Sequence, residues 1–351
     1  MTADQLPGPI LGDSVWYGPE VADNPQSWCF ALNDADLAEL KQAAERFLDT
    51  GADISEIRAP GFSLPGLAAR LEAWHDRLVN GAGFALLRGL PVDEWPRAVS
   101  AAAFFGVGAH LGLARPQNAQ GHMLGHVIDM GLDAADPRVR IYQTHARQTF
   151  HTDSCDIVGL LCLRKSRRGG ESALVSSNTV YNEMHSREPA LAAALFDALA
   201  TDRRGEVPPG GHPFFSIPVF NWFQGRMSTI YHRQYIDSAQ RFPEAFRLTP
   251  LHVEALDCFD SLAESPALHF MMDFEPGDMQ FVHNHTMLHD RMAFEDWPEP
   301  ERRRHLLRLW LSSPRARPLP PVYAERYGSV VPGARGGVMM PAVRWHAPLE
   351  P

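Results

Sequence analysis

Pro276-Gly277-Asp278-Met279-Gln280-Phe281-Val282-His283-Asn284-His285-Thr286-Met287-Leu288-His289 is the stretch on which the fold reading turns. A Pro-Gly-Asp turn opens it, and the apolar run Met279–Val282 follows. A run this short, bounded by turn residues, reads as a buried strand rather than a helix. Its far end is crowded with imidazoles, which a strand serving only as core packing does not need.

The same rhythm extends outward. Ile157–Leu163 and Ser172–Ser176 are further short apolar runs set between Gly, Pro, Asn and Asp, and Gly83-Phe84-Ala85-Leu86-Leu87 is another, closed by Gly89 and Pro91. From about residue 140 this predicts a sandwich or barrel of strands. Helices precede it. Asn33 is a capping residue with Asp36 on the positive helix end, and Leu37, Leu40, Ala44, Phe47 and Leu48 follow on one face. A second helix after Pro65 carries Leu67, Leu71, Trp74 and Leu78 in one stripe and stops at Asn80-Gly81. A helical stretch over roughly Val180 to Leu199 interrupts the strands, Val207 to Pro218 reads as a long loop, and the tail from Ala316 reads as extended chain wrapping the surface. The organisation expected is one catalytic domain over 1–351: a helical part at about 30–80, a β-core at about 83–312 and a tail at 313–351.

Bulk properties narrow the function. The 351 residues are 45% hydrophobic and 21% charged, enough to build a large core. A net charge of -10, with basic residues scattered apart from Arg302, Arg303 and Arg304, argues against nucleic acid as a partner. Cys29, Cys155, Cys162 and Cys258 form no close pairs of the structural-zinc kind and read as reduced thiols. The sequence offers neither a signal-peptide pattern nor an apolar stretch long enough to span a bilayer, so a cytoplasmic protein without membrane association is expected. A homo-oligomer is left open.

The chemistry concentrates in two places. His151-Thr152-Asp153 ends the strand-like segment Tyr142–Phe150, and residues two apart on a strand share a face, so imidazole and carboxylate can converge on one ion. Alone this pair is weak, and a surface hydrogen-bonded pair explains it better. A third imidazole from His283, His285 or His289 would complete two nitrogens and one carboxylate oxygen with open positions, the facial set of non-haem iron(II). Zinc accepts the same donors. Downstream, Arg304 and Arg308 share a face if Arg303–Ser312 is a strand, with Leu307, Leu309 and Leu311 on the other. Arginine suits the distal carboxylate of a co-substrate because its fork is planar and always charged.

These elements together resemble the taurine dioxygenase-like (clavaminate synthase-like) family of iron(II)/2-oxoglutarate-dependent oxygenases. The shared order is His151-Thr152-Asp153, Gly169-Gly170-Glu171-Ser172, Pro276-Gly277-Asp278, Asn284 with His289, then Arg304 to Arg308, over about residues 80 to 312. The resemblance implies a mainly β fold with helical additions and a double-stranded β-helix (jelly-roll) core. It implies His151, Asp153 and His289 as the catalytic iron ligands, Arg304 and Ser172 as the residues holding 2-oxoglutarate, and Arg308 as a neighbour meeting substrate or co-substrate. The spacing from His289 to Arg304 is longer than the commonest one, which raises Arg303 as a competitor; strand alternation favours Arg304. The implied cofactors are Fe(II), 2-oxoglutarate as co-substrate and O2. The implied reaction is hydroxylation of an unactivated C–H in a small organic acid, amino acid or amine, with release of succinate and carbon dioxide. A non-catalytic metal-binding jelly-roll and a zinc hydrolase with the same ligands are the alternatives. Pocket walls are expected from Gln117–His126, Arg147–Phe150 and Phe214–Arg226. Arg308 is expected either to meet an anionic substrate or to be satisfied internally, by a carboxylate such as Asp278 or by 2-oxoglutarate.

Overall fold

In a computed structural model, which describes residues 1–136 and 139–351, two β-sheets face one another in a jelly-roll arrangement. The larger runs in the order Cys29–Ala31, Phe84–Arg88, Met279–His283, Ile157–Arg164, His305–Ser312 and Leu113–Ala114, with Gly125–Val127 also paired to His305–Ser312. Its first pair is parallel and the other pairs are antiparallel. The smaller sheet is antiparallel throughout, in the order Phe270–Met272, Ser172–Ser176, Met287–Arg291 and Gln148–His151.

Alternation along the strands builds two cores from one sheet. Met279 and Phe281, with Leu161, Leu307, Leu309 and Leu311, point outward into a cluster shared with the helices Asp34–Leu48, Ala68–Asn80 and Arg97–Leu111. Val282, Val158, Cys162, Leu306 and Trp310 point inward and meet Leu174, Phe270, Met272 and Met287 of the smaller sheet. Each such large apolar side chain contributes about 1.5–3 kcal/mol by leaving water. Ala173, Val175 and Leu288, on the other face of the smaller sheet, pack with a second group of helices that includes Ser177–Arg187 and Pro250–Ala263. The Pro-Gly-Asp turn is sterically fixed: Gly277 has φ +90°, and a Cβ there would sit 2.0 Å from the Leu90 carbonyl oxygen.

The first helix opens as expected, with the Asn33 side chain accepting hydrogen bonds from Ala35 N and Asp36 N while the Asp36 carboxylate accepts one from Asn33 N. Several segments differ from expectation. The helix over 180–199 is two helices, Ser177–Arg187 and Pro189–Ala194, followed by the strand Ala198–Asp202. That strand pairs with Phe214–Pro218, so the expected loop at 207–218 ends in a strand. The strand carrying His151 is only Gln148–His151, with a 3-10 turn at Ile141–Gln143 before it. Arg304 stands just before the strand His305–Ser312 rather than inside it. The tail is not merely extended: it forms the helix Ala324–Tyr327 and buries Tyr323, Tyr327 and Arg335, the last paired with buried Asp156 at 2.8 Å. Among the described residues no helix is long and apolar enough to cross a membrane.

Candidate metal centre

His151 and His289 are cross-strand partners on the inner face of the smaller sheet. Their ring centroids lie 4.1 Å apart. Asp153 lies two residues past the strand end, in a turn held by Asn284, whose side-chain oxygen accepts from Asp153 N at 3.0 Å. Ligand atoms of His151, Asp153 and His289 all fall within 4.8 Å of one another. Convergence therefore comes from a turn fixed by Asn284, not from strand alternation alone.

The surroundings set the charge state of each group. The His151 Nδ1–H donates to the Thr149 carbonyl at 2.8 Å, which leaves Nε2 as an acceptor, met by the Gln148 amide at 2.8 Å. Burial, reinforced by His151, pushes His289 down to about 3, so its imidazole is neutral near pH 7. Burial likewise lowers His151. Burial works against ionisation of Asp153, but Arg308, His289, His151 and the Trp310 indole hold its carboxyl below the usual carboxylate range. The Trp310 Nε1–H donates to Asp153 Oδ2 at 2.9 Å. Two neutral imidazoles beside an ionised carboxylate are the donors that a divalent metal requires.

One cavity beside this trio is lined by Ser172, Leu306, Arg304 and Arg291 as well as His151, Asp153 and His289. Arg304 is 4% exposed, stands 5.2 Å from the Phe294 ring, and leaves Nη1 without a hydrogen-bond partner. Burial pushes its guanidinium down to about 10. Gly170 makes room for it, since a Cβ there would lie 3.0 Å from Arg304 Nε. Arg303 instead turns to the Trp297 and Pro298 carbonyls at 3.4 Å. Arg291 donates to the Thr144 and Ala146 carbonyls and pins that loop.

Arg308 lies between this cavity and a second one, lined also by His232, Arg140, Arg203 and Arg326. Its Nε–H donates to the Gln117 side-chain amide oxygen, Oε1, at 2.7 Å, and Nη1 stands 3.6 Å from Asp153 Oδ2. Asp278 is not its partner: that carboxylate pairs with Arg88 at 2.7 and 2.9 Å. His283 and His285 are engaged elsewhere, with Thr286 Oγ1 and Asp156 at 2.9 Å each. Of the expected pocket walls, Gln148 and Phe215 reach the second cavity and Gln117 supports it through Arg308. Trp310, His232, Arg140, Arg203 and Arg326 were not singled out from sequence. Only Trp310 carried a signal, being in phase with Arg308 on one strand.

A jelly-roll with two imidazoles and a carboxylate converging beside a buried, unpaired guanidinium defines a 2-oxoglutarate-dependent non-haem iron oxygenase. The chain belongs to the Taurine catabolism dioxygenase TauD, TfdA family, whose sequence pattern matches residues 48–310. It is 33% identical over 319 residues to FR-33289 synthase of Streptomyces rubellomurinus, covering 90% of this chain and 94% of that protein. Its fold is similar to an asparagine oxygenase solved with Fe(II), 2S,3S-3-hydroxyasparagine and succinate: TM-score 0.64, 16% identity, 81% of this chain and 93% of that one. The non-heme iron oxygenase OrfP, solved with Fe and alpha-ketoglutaric acid, has TM-score 0.58 and 14% identity over 81% of this chain and 93% of its own. The protein is accordingly an oxidoreductase using iron and 2-oxoglutarate.

Proposed function

We propose that this protein hydroxylates an unactivated C–H bond of a small organic acid, amino acid or amine, with His151, Asp153 and His289 holding iron(II) and Arg304 and Ser172 holding 2-oxoglutarate. The observation that carries the assignment is the convergence of those three ligand atoms within 4.8 Å on a cavity that also contains the unpaired Arg304 Nη1. A site serving metal alone has no use for a buried cation without a counter-charge, which costs several kcal/mol unless an anion arrives. That weighs against the non-catalytic and zinc-hydrolase alternatives.

Iron(II) with 2-oxoglutarate would supply oxidation of the C–H bond by dioxygen, releasing succinate and carbon dioxide. The chain's own residues do the rest. Thr149 fixes the His151 tautomer, Trp310 and Asn284 orient Asp153, and Arg304 with Ser172 orients the co-substrate. The apolar wall of Val127, Val158, Leu160 and Leu306 keeps water from the co-substrate cavity. The reading extends to one catalytic domain over 1–351, a cytoplasmic location, and no nucleic-acid or membrane partner.

The test is succinate formation from 2-oxoglutarate with iron at modest excess. His151→Ala, Asp153→Ala and His289→Ala should each abolish it while far-UV circular dichroism stays unchanged. Turnover near the parent rate in any one of them removes that residue from the ligand set.

A further inference from the structure

The second cavity is unusually cationic for a protein of net charge -10. Arg140, Arg203, Arg308 and Arg326 all line it. They come from separate parts of the chain: a loop before the first iron-ligand strand, the end of Ala198–Asp202, the strand His305–Ser312, and the tail helix Ala324–Tyr327.

Two of the four are accounted for. Arg140 is paired with Glu206. Arg308 is fixed by Gln117 and stands near Asp153. The remaining lining carboxylate, Asp202, is taken by the Ser238 hydroxyl at 2.6 Å and by Arg241 at 3.0 Å. Arg203 donates only to the Glu325 carbonyl and leaves its buried Nε unpartnered. Among the described residues Arg326 makes no ion pair, and Glu206, the anion that acts on it from a distance, is already committed to Arg140. Among the described residues, then, no carboxylate forms an ion pair with Arg203 or Arg326. His232 adds a separate observation. It is 7% exposed, lines the same cavity, and has no hydrogen-bond partner at either ring nitrogen. Its ring is held flat against Tyr235, with centroids 3.5 Å apart and an interplanar angle of 7°.

Two guanidiniums on different elements present two forks, each able to take two oxygens. A carboxylate has one edge and one charge. A tetrahedral phosphorus oxyanion has three oxygens and close to two charges. Resting on the oxygenase reading above, we propose that the primary substrate carries a dianionic phosphorus head, a phosphonate or a phosphate monoester, held by Arg203 and Arg326 with His232 beside it.

The probes are n-propylphosphonate, n-propyl phosphate, propanesulfonate and butyrate. Each is titrated calorimetrically at pH 8 into the anaerobic enzyme loaded with iron(II) and 2-oxoglutarate. One of the two phosphorus compounds should bind at least about tenfold more tightly than sulfonate or butyrate, and whichever is tighter names the source of the head group. Arg203→Gln and Arg326→Gln should each weaken that binding by about tenfold or more, from the loss of a charge-assisted contact, while Arg326→Lys retains part of it. The visible iron–2-oxoglutarate band should persist in all three variants, which separates loss of the head-group site from misfolding. Sulfonate or butyrate binding as tightly as the phosphorus compounds overturns the proposal, as does parent-like phosphonate binding by both glutamine variants. Absence of the band from the parent enzyme would instead refute the oxygenase reading.

Discussion

Replacing Arg304 by leucine separates a structural arginine from a co-substrate arginine, because the two roles predict opposite effects on stability. Burial pushes the guanidinium down to about 10. Relative to an ordinary 12.5, that corresponds to about 3 kcal/mol against the charged form throughout the neutral range, since both folded and unfolded states are protonated below the folded value. Nη1 recovers nothing from a protein partner. Arg304→Leu should therefore leave the ligand-free protein at least as stable as the parent in urea unfolding. The same substitution removes a charge-assisted contact with a buried carboxylate, worth about 1.5–3 kcal/mol. At 1.4 kcal/mol per decade, the KM for 2-oxoglutarate in a succinate-formation assay should rise about ten- to 150-fold. Arg303→Leu, whose side chain reaches only loop carbonyls, should leave that KM unchanged. A normal KM together with lost stability in Arg304→Leu would refute the reasoning and make the guanidinium a structural group.

Trp310→Phe removes the indole donor to Asp153 Oδ2. It should weaken iron(II) binding about tenfold or more in a competition titration, with 2-oxoglutarate affinity less affected. His305 is pushed down to about 3, first by burial and then by His126 and Arg164, so the unfolded chain takes up this proton at higher pH than the folded one. Stability should fall as pH drops from about 6.5 toward 3, by up to about 1.4 kcal/mol per pH unit from this group. His305→Gln should flatten that limb by about the same slope in urea midpoints measured at pH 4.5, 5.5 and 7.

The inner-face pattern was legible because it is local. Arg304 and Arg308 face the inner cavity, opposite Leu307, Leu309 and Leu311, and the Asn33 cap announces its helix in three residues. The helix Arg97–Leu111 escaped the reading because it is apolar nearly all round, from Val99 through Gly108, and so shows no stripe. The alanines at 192–194 carried the helical pattern forward across Leu199, where pairing with Phe214–Pro218 makes a strand instead. Local propensity cannot register that long-range partner. The second cavity was illegible for a related reason. Arg140, Arg203 and Arg326 lie far apart in sequence, none sits in a motif, and only the folded tail brings Arg326 to the others.

The central claim is that His151, Asp153 and His289 hold iron while Arg304 holds 2-oxoglutarate, and anaerobic spectroscopy tests it most directly. Adding one equivalent of iron(II) to the protein with 2-oxoglutarate should produce the weak visible charge-transfer band of the chelate. His289→Ala should lose that band, and Arg304→Leu should require about tenfold or more 2-oxoglutarate to form it. No band at saturating iron and 2-oxoglutarate, in protein that binds zinc stoichiometrically through the same three side chains, would contradict the account.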